Sequence, residues 1–190
     1  MIATSATIAP GVAAPSSCEP IARPLIEIFQ QLVQVLHAAG DSLYTQRMGP
    51  LFADSTIGGH VRHCLDHARA LLDGKDCGTV DYDHRLRGTD IETSTTAAHR
   101  ELTRLIGLAS RLCPTDADEE LSVVIMPSRD GRALDLRSTL GRELAFVLSH
   151  TIHHNATIRG MAVSLGVAIP DALGYAPSTL AHRDSAACAR

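Results

Sequence analysis

The sequence predicts an all-α chain: a four-helix bundle with a small β-hairpin inserted before the last helix. Three observations carry this expectation. Four stretches place apolar residues at helical spacing, each opened by a capping residue or a proline and closed by a glycine or a proline. An Asp130-Gly131 pair separates two short β-prone runs, a strong hairpin signal. The 190 residues are 45% apolar and 20% charged, the balance of an ordinary globular domain, and long enough to bury a core without a metal or a disulfide framework to hold it.

The first helix opens at Pro24, whose fixed φ suits a first helical turn, and runs through Leu25, Phe29, Leu32, Leu36 and Ala39 to a stop at Gly40. Ser55 or Thr56 caps the second, with a stripe of Ile57, Val61, Cys64, Ala68, Leu71 and Leu72 closed by Gly74. Residues 75–92 lack a clean period and carry a dense charge run at 81–87. A connection this long in a compact domain is either disordered or functional. Thr93 or Ser94 opens a third helix bearing Ala98, Leu102, Leu105, Ile106, Ala109 and Leu112, and Pro114 stops it. Residues 121–126 are β-branched and 132–136 alternate, which gives the hairpin. Ser138 or Thr139 then caps a long fourth helix with Leu140, Leu144, Val147, Thr151, Ile158, Ala162 and Leu165 on one face, ended by Gly166. Such stripes are stable only when buried against one another. The expected division is a mobile tail over 1–22, the bundle over 23–166, and an irregular tail over 167–190 that contains Pro170 and Pro177.

Composition excludes several partners. Lys plus Arg total 17 against 21 Asp plus Glu, for a net charge of −4, and there are three Phe, three Tyr and no Trp. Neither a phosphate-binding surface nor a base-stacking platform can be built from that, so nucleic acid is not expected. No apolar run approaches the ~18 residues of a membrane span. The start of the chain, interrupted by Pro10 and Pro15 and without a basic residue before Arg23, does not read as a signal peptide, so no membrane partner is expected. Five cysteines (Cys18, Cys64, Cys77, Cys113 and Cys188) form an odd set without a CxxC pair, which suggests neither a disulfide framework nor a zinc ribbon and fits a reducing cytoplasm.

Histidine is the compositional outlier, and six of the ten sit in two helices: His60, His63 and His67 in the second, His150, His153 and His154 in the fourth. On a wheel of about 100° per residue, His150 and His154 lie at the edge of the apolar stripe and His153 points elsewhere. Two imidazoles at i and i+4 on one face can chelate a single divalent ion, and a facing helix must then supply a third ligand. On the second helix the apolar stripe favours His60 or His67 over His63, but periodicity alone does not choose. Single histidines on a helix flank are ordinarily solvated. Two helices each bearing stacked imidazoles are harder to explain without a shared ligand.

These residues resemble the bacterial DinB-like (damage-inducible) metal-binding four-helix bundles over roughly residues 25–166. Thr56-Ile-Gly-Gly-His-Val-Arg-His63-Cys-Leu-Asp66 is similar to the family's second-helix pattern ending in His-Leu-Ala-Asp, and His150-Thr-Ile-His-His154-Asn-Ala-Thr-Ile158 to its fourth-helix pattern Asn-His-x-x-His-His-Arg-Gly-Gln-Ile. The resemblance implies that His63, His150 and His154 hold one divalent ion (Zn, Ni or Fe), and that the protein is commonly a homodimer. The sequence departs from the pattern at Asn155 and Thr157, where Arg and Gln would fall. Asp81-Tyr-Asp-x-Arg85-x-Arg87 followed by Ile91-Glu92-Thr93 is similar to a loop in a subset of these proteins. Arg85 and Arg87 could fork a carboxylate or phosphate near the metal, or form a solvated charged loop.

Three neutral imidazoles leave a metal with open positions, as in hydrolytic and ligand-exchange sites. Family members are thought to include thiol-dependent transferases and hydrolases, so the expected function is a divalent-metal-dependent enzyme for small-molecule hydrolysis or thiol transfer, with an unknown substrate that could be a thiol. The alternative is a non-catalytic metal-binding or stress-related helical bundle acting as a partner-binding protein. Around the site, Glu143 could act as a base or orient a ligand, or be an exposed first-turn glutamate favourable to the helix dipole. Asp66 could bond a ligand's second ring nitrogen, or pair with Arg62 or Arg69. His60 and His67 could line the cavity, and Cys64 reads as a small core residue.

Overall fold

A computed structural model describes residues 22–84 and 88–188. The tail expected over 1–22 lies outside the described residues apart from Ala22, which is buried in the core, and Arg85 and Arg87 also lie outside them. The described residues are mostly helical, with five helices among them, α1 (Arg23–Tyr44), α2 (Ile57–Gly74), α3 (Thr95–Ala109), α4 (Leu140–Ser164) and α5 (Pro177–Cys188), and a small sheet of β1 (Thr79–Asp81), β2 (Glu120–Ile125) and β3 (Leu134–Thr139). Among the described residues no helix is long and apolar enough to cross a membrane.

The caps fall where side-chain chemistry puts them. Thr56 Oγ1 accepts from the Gly59 N–H at 2.9 Å, Ser94 Oγ from the Ala97 N–H at 3.3 Å, and Thr139 Oγ1 from the Arg142 N–H at 3.3 Å. Each satisfies a donor that the first helical turn would leave orphaned. Gly40 breaks α1 as expected, with φ +58°, yet a further turn follows to Tyr44, because that ring is wholly buried and its hydroxyl donates to the Ile91 carbonyl at 2.7 Å. Gly58 is required by close approach: a Cβ there would lie 2.1 Å from the Glu92 carbonyl oxygen, so the start of α2 can rest directly against that segment.

α1 packs on α3 and α4, and α2 on α3 and α4, burying Phe29, Leu32, Leu65, Leu102, Leu105 and Ile158 in one continuous core. The hairpin forms, with β2 antiparallel to β3 in the register Val123↔Leu136. Its second strand begins two residues later than the alternation suggested.

Three features correct the sequence reading. Within the aperiodic 75–92 connection, β1 pairs parallel to β2 through Val80↔Val123; a three-residue strand with a partner more than forty residues away leaves no local period to detect. The tail over 167–190 is not irregular throughout: Val167 and Leu173 return to the core, and Pro177, read as a breaker, is the first residue of α5. Tyr175 is held between Arg159 and Arg183, whose guanidinium carbons lie 5.0 and 4.9 Å from its ring centroid. Finally, Cys64 and Cys77 are free thiols but Cys113 is disulfide-bonded. Cysteine spacing along the sequence carries no record of pairing set by the fold, and a disulfide is uncommon in the reducing compartment that the cysteine count suggested.

Asn155 is 1% exposed, and neither of its amide atoms has a hydrogen-bond partner. An unpaired buried amide keeps a desolvation cost of about 1–3 kcal/mol. Asn155→Leu, which has the same branching, removes it, and a melting temperature higher by about 2–4 °C is expected; a thermal melt showing a fall of that size would mean that the amide is satisfied.

Candidate metal centre

α2 and α4 lie antiparallel, so their histidines face each other in reverse order: His60 against His154, His63 against His150, His67 against His150 and Phe146. The fold brings His63, His150 and His154 together, each offering one ring nitrogen, with all three atoms within 4.8 Å of one another. His63 Nε2 and His150 Nε2 are 3.1 Å apart, and ring centroids are separated by 4.6 Å (His63–His154 and His150–His154) and 4.9 Å (His63–His150). All three rings are half-buried.

The other histidines of the two helices surround this group. His60 places Nδ1 3.0 Å from His154 Nδ1 and Nε2 3.0 Å from Ser55 Oγ. His67 is buried, stacks on His150 at 4.0 Å, and has Nδ1 3.0 Å from the His63 carbonyl oxygen. His153 is exposed and meets His154 edge to face, at 5.3 Å between centroids.

Electrostatics favour a neutral ring at His154 and at His60. Burial, reinforced by the neighbouring His150, His60, His153 and His67, pushes His154 down to about 3, and burial followed by His153 lowers His60. A neutral imidazole keeps a lone pair for a metal. The set fits a borderline divalent ion: three convergent imidazole nitrogens, and no thiolate, since burial pushes the Cys64 thiol up to about 12 within the core.

The carboxylates expected nearby do other work. Asp66 is not on a histidine: it is buried between Arg69, at 2.5 Å, and Arg62, which also pairs with Glu92. Glu143 is not an exposed first-turn residue. It is 4% exposed and accepts from the Tyr82 hydroxyl at 2.8 Å and the Ser138 hydroxyl at 2.5 Å. Burial and the Glu143 charge raise Tyr82 well above the ordinary phenol range, so it stays a donor. Its ring stacks on His67 at 5.4 Å, which ties Glu143 to the histidine cluster through one aromatic layer. Sequence reasoning missed Tyr82 and Phe146. Tyr82 sits in an aperiodic segment with no usable signal, whereas Phe146, four residues before His150, was discoverable from helical spacing.

No family model matches the sequence. The structure is similar to that of a DinB-like protein, YjoA, from Bacillus subtilis, with a TM-score of 0.59 at 14% identity, covering 80% of this chain and 97% of that one. In sequence, the chain is 30% identical over 104 residues to FK506-binding protein 5 of Rhizopus delemar, a match covering 54% of this chain but only 27% of that longer protein.

Proposed function

We propose that this chain, which has the DinB-like fold, holds one divalent metal ion through His63, His150 and His154 and is an enzyme for small-molecule hydrolysis or thiol transfer at the positions those residues leave open. The observation that supports it is the convergence of three imidazole nitrogens, offered by two helices far apart in sequence, within 4.8 Å. A divalent ion held there supplies Lewis acidity, which activates water or a thiol near neutral pH. The chain's own residues position the rings. His60, anchored on Ser55, fixes the outer side of His154, while the Asp66 pairs with Arg62 and Arg69 brace the turn of α2 that carries His63 and His67.

Elemental analysis of tag-free protein, desalted after incubation with Zn²⁺, Ni²⁺ or Fe²⁺, tests this directly. About one metal per chain is expected, and less than about 0.2 would overturn it.

A non-catalytic bundle that docks a partner is favoured by one feature. β3 forms the edge of the sheet, opposite β1, and its Leu134 and Leu136 are 48% and 44% exposed. Metal-loaded protein with no turnover of activated esters or thiol acceptors above that of His150→Ala would favour that reading.

A further inference from the structure

We propose that Ser55 and the Phe52 carbonyl, on the connection between α1 and α2, fix which ring nitrogen of His154 carries its proton, so that His154 presents Nε2 to a divalent ion. The ligand half of this rests on the function proposed above; the proton order stands on hydrogen-bond geometry alone.

Either Ser55 or Thr56 could cap α2, and Thr56 takes that role, which leaves the Ser55 hydroxyl for other partners. It reaches the Phe52 carbonyl oxygen at 2.6 Å and His60 Nε2 at 3.0 Å, and on the far side of the ring His60 Nδ1 lies 3.0 Å from His154 Nδ1. The direction of the whole row follows from its last member. A carbonyl oxygen only accepts, and two oxygens 2.6 Å apart with no proton between them repel, so the Ser55 hydroxyl donates to Phe52. Its oxygen then accepts from His60 Nε2–H. A neutral imidazole has one N–H, so His60 Nδ1 is an acceptor and the proton in the last contact belongs to His154 Nδ1. The ring lone pair of His154 is left on Nε2. The reverse order fails twice: it leaves the 2.6 Å contact without a proton, and it puts the His154 proton on Nε2, where it blocks coordination.

The connection is built to hold that carbonyl in place. After one 3₁₀ turn (Pro50–Phe52), Ala53 and Asp54 both lie in the left-handed region, at φ +51° and +53°, which residues other than glycine seldom adopt. They fold the chain back so that the Ser55 N–H and hydroxyl both donate to Phe52, at 3.0 and 2.6 Å. The Met48 N–H donates to the Ser55 carbonyl at 2.9 Å and closes the loop behind it. The Phe52 ring rests on α4, the helix of His154: a Cβ on Gly160 would lie 3.3 Å from it. Strain of this kind persists only where the surroundings over-determine it, and it gathers at ligand sites.

Long-range ¹H–¹⁵N NMR spectra of the metal-free full chain at about pH 8, above the ordinary histidine range, read the proton position on each ring. Signals missing from His60→Ala and His154→Ala assign the two residues. His154 is expected in the Nδ1–H form and His60 in the Nε2–H form; His154 protonated at Nε2 would overturn the proposal. Ser55→Ala should turn His154 into a mixture of tautomers and weaken zinc binding about fivefold, the worth of one hydrogen bond, while Ser55→Thr, which keeps the hydroxyl, restores both. A double variant separates this from a general loosening of the loop. Because Ser55 acts through His60, Ser55→Ala should cost nothing further in a His60→Ala background, and an equal loss there would overturn the proposal. Chelator competition on the same samples keeps the two readings apart. A parent protein that binds no zinc yet shows the two expected tautomers would remove the metal centre and leave the proton order standing, whereas zinc binding with His154 protonated at Nε2 in the metal-free state would do the opposite.

Discussion

His150→Ala and His154→Ala are each expected to abolish most metal binding, whereas His153→Ala leaves it nearly intact. The contrast is a matter of helical angle. His150 and His154 stand one turn apart on the face of α4 turned to α2, while His153, between them in sequence, is exposed. A three-ligand site that loses one ligand keeps only a chelating pair, so the fall in affinity should exceed the 10–100-fold that loss of a supporting residue typically costs. On α2 the largest loss is expected from His63→Ala. His60→Ala, which removes the ring against His154 Nδ1 but not one of the three convergent nitrogens, should fall within the smaller range. Competition against a chromophoric chelator measures all five variants on one scale. Equal losses from His150, His153 and His154 would mean that the cluster gathers metal without a defined site.

Much of this was legible before any coordinates, for identifiable reasons. Thr56, Ser94 and Thr139 announce helix starts because an oxygen-bearing side chain at that position has a local partner, the N–H three residues on. The stripe from Ile57 to Leu72 is buried as its period requires. What escaped was non-local. β1 exists because Val80 finds β2, and Glu143 is buried because Tyr82 and Ser138 arrive from other elements to satisfy it. The helical wheel also ranked His60 and His67 above His63, because it measures angle from the core stripe of α2. The three nitrogens that converge lie instead toward the neighbouring helix, across a flank where Val61 and Cys64 turn inward and all three histidines of α2 face α4.

Acidification should strip the metal before it unfolds the chain, with affinity falling steeply below about pH 6, since the ion competes with protons for imidazole. His154 limits how steep that fall can be. Its ordinary value is 6.5 and the fold holds it at about 3, so it carries no proton to be displaced between pH 4.5 and 6, and at most two of the three ligands can contribute. A plot of log affinity against pH should therefore have a slope no greater than two; a slope of three would show that His154 takes up a proton in that range. The same depression sets the stability of the metal-free fold. Below pH 6.5 the unfolded chain takes up a proton at this residue that the folded chain refuses, so the contribution is complete above 6.5 and is lost progressively as pH falls toward 3. Removing metal at neutral pH costs only the stabilisation that binding supplied. The core built on Phe29, Leu65, Leu102 and Ile158 does not involve the ligands, so chelation should lower the melting temperature while the helical circular dichroism persists. If chelation unfolded the chain instead, the ion would be a structural member of the bundle, and three histidines with open positions would no longer argue for chemistry.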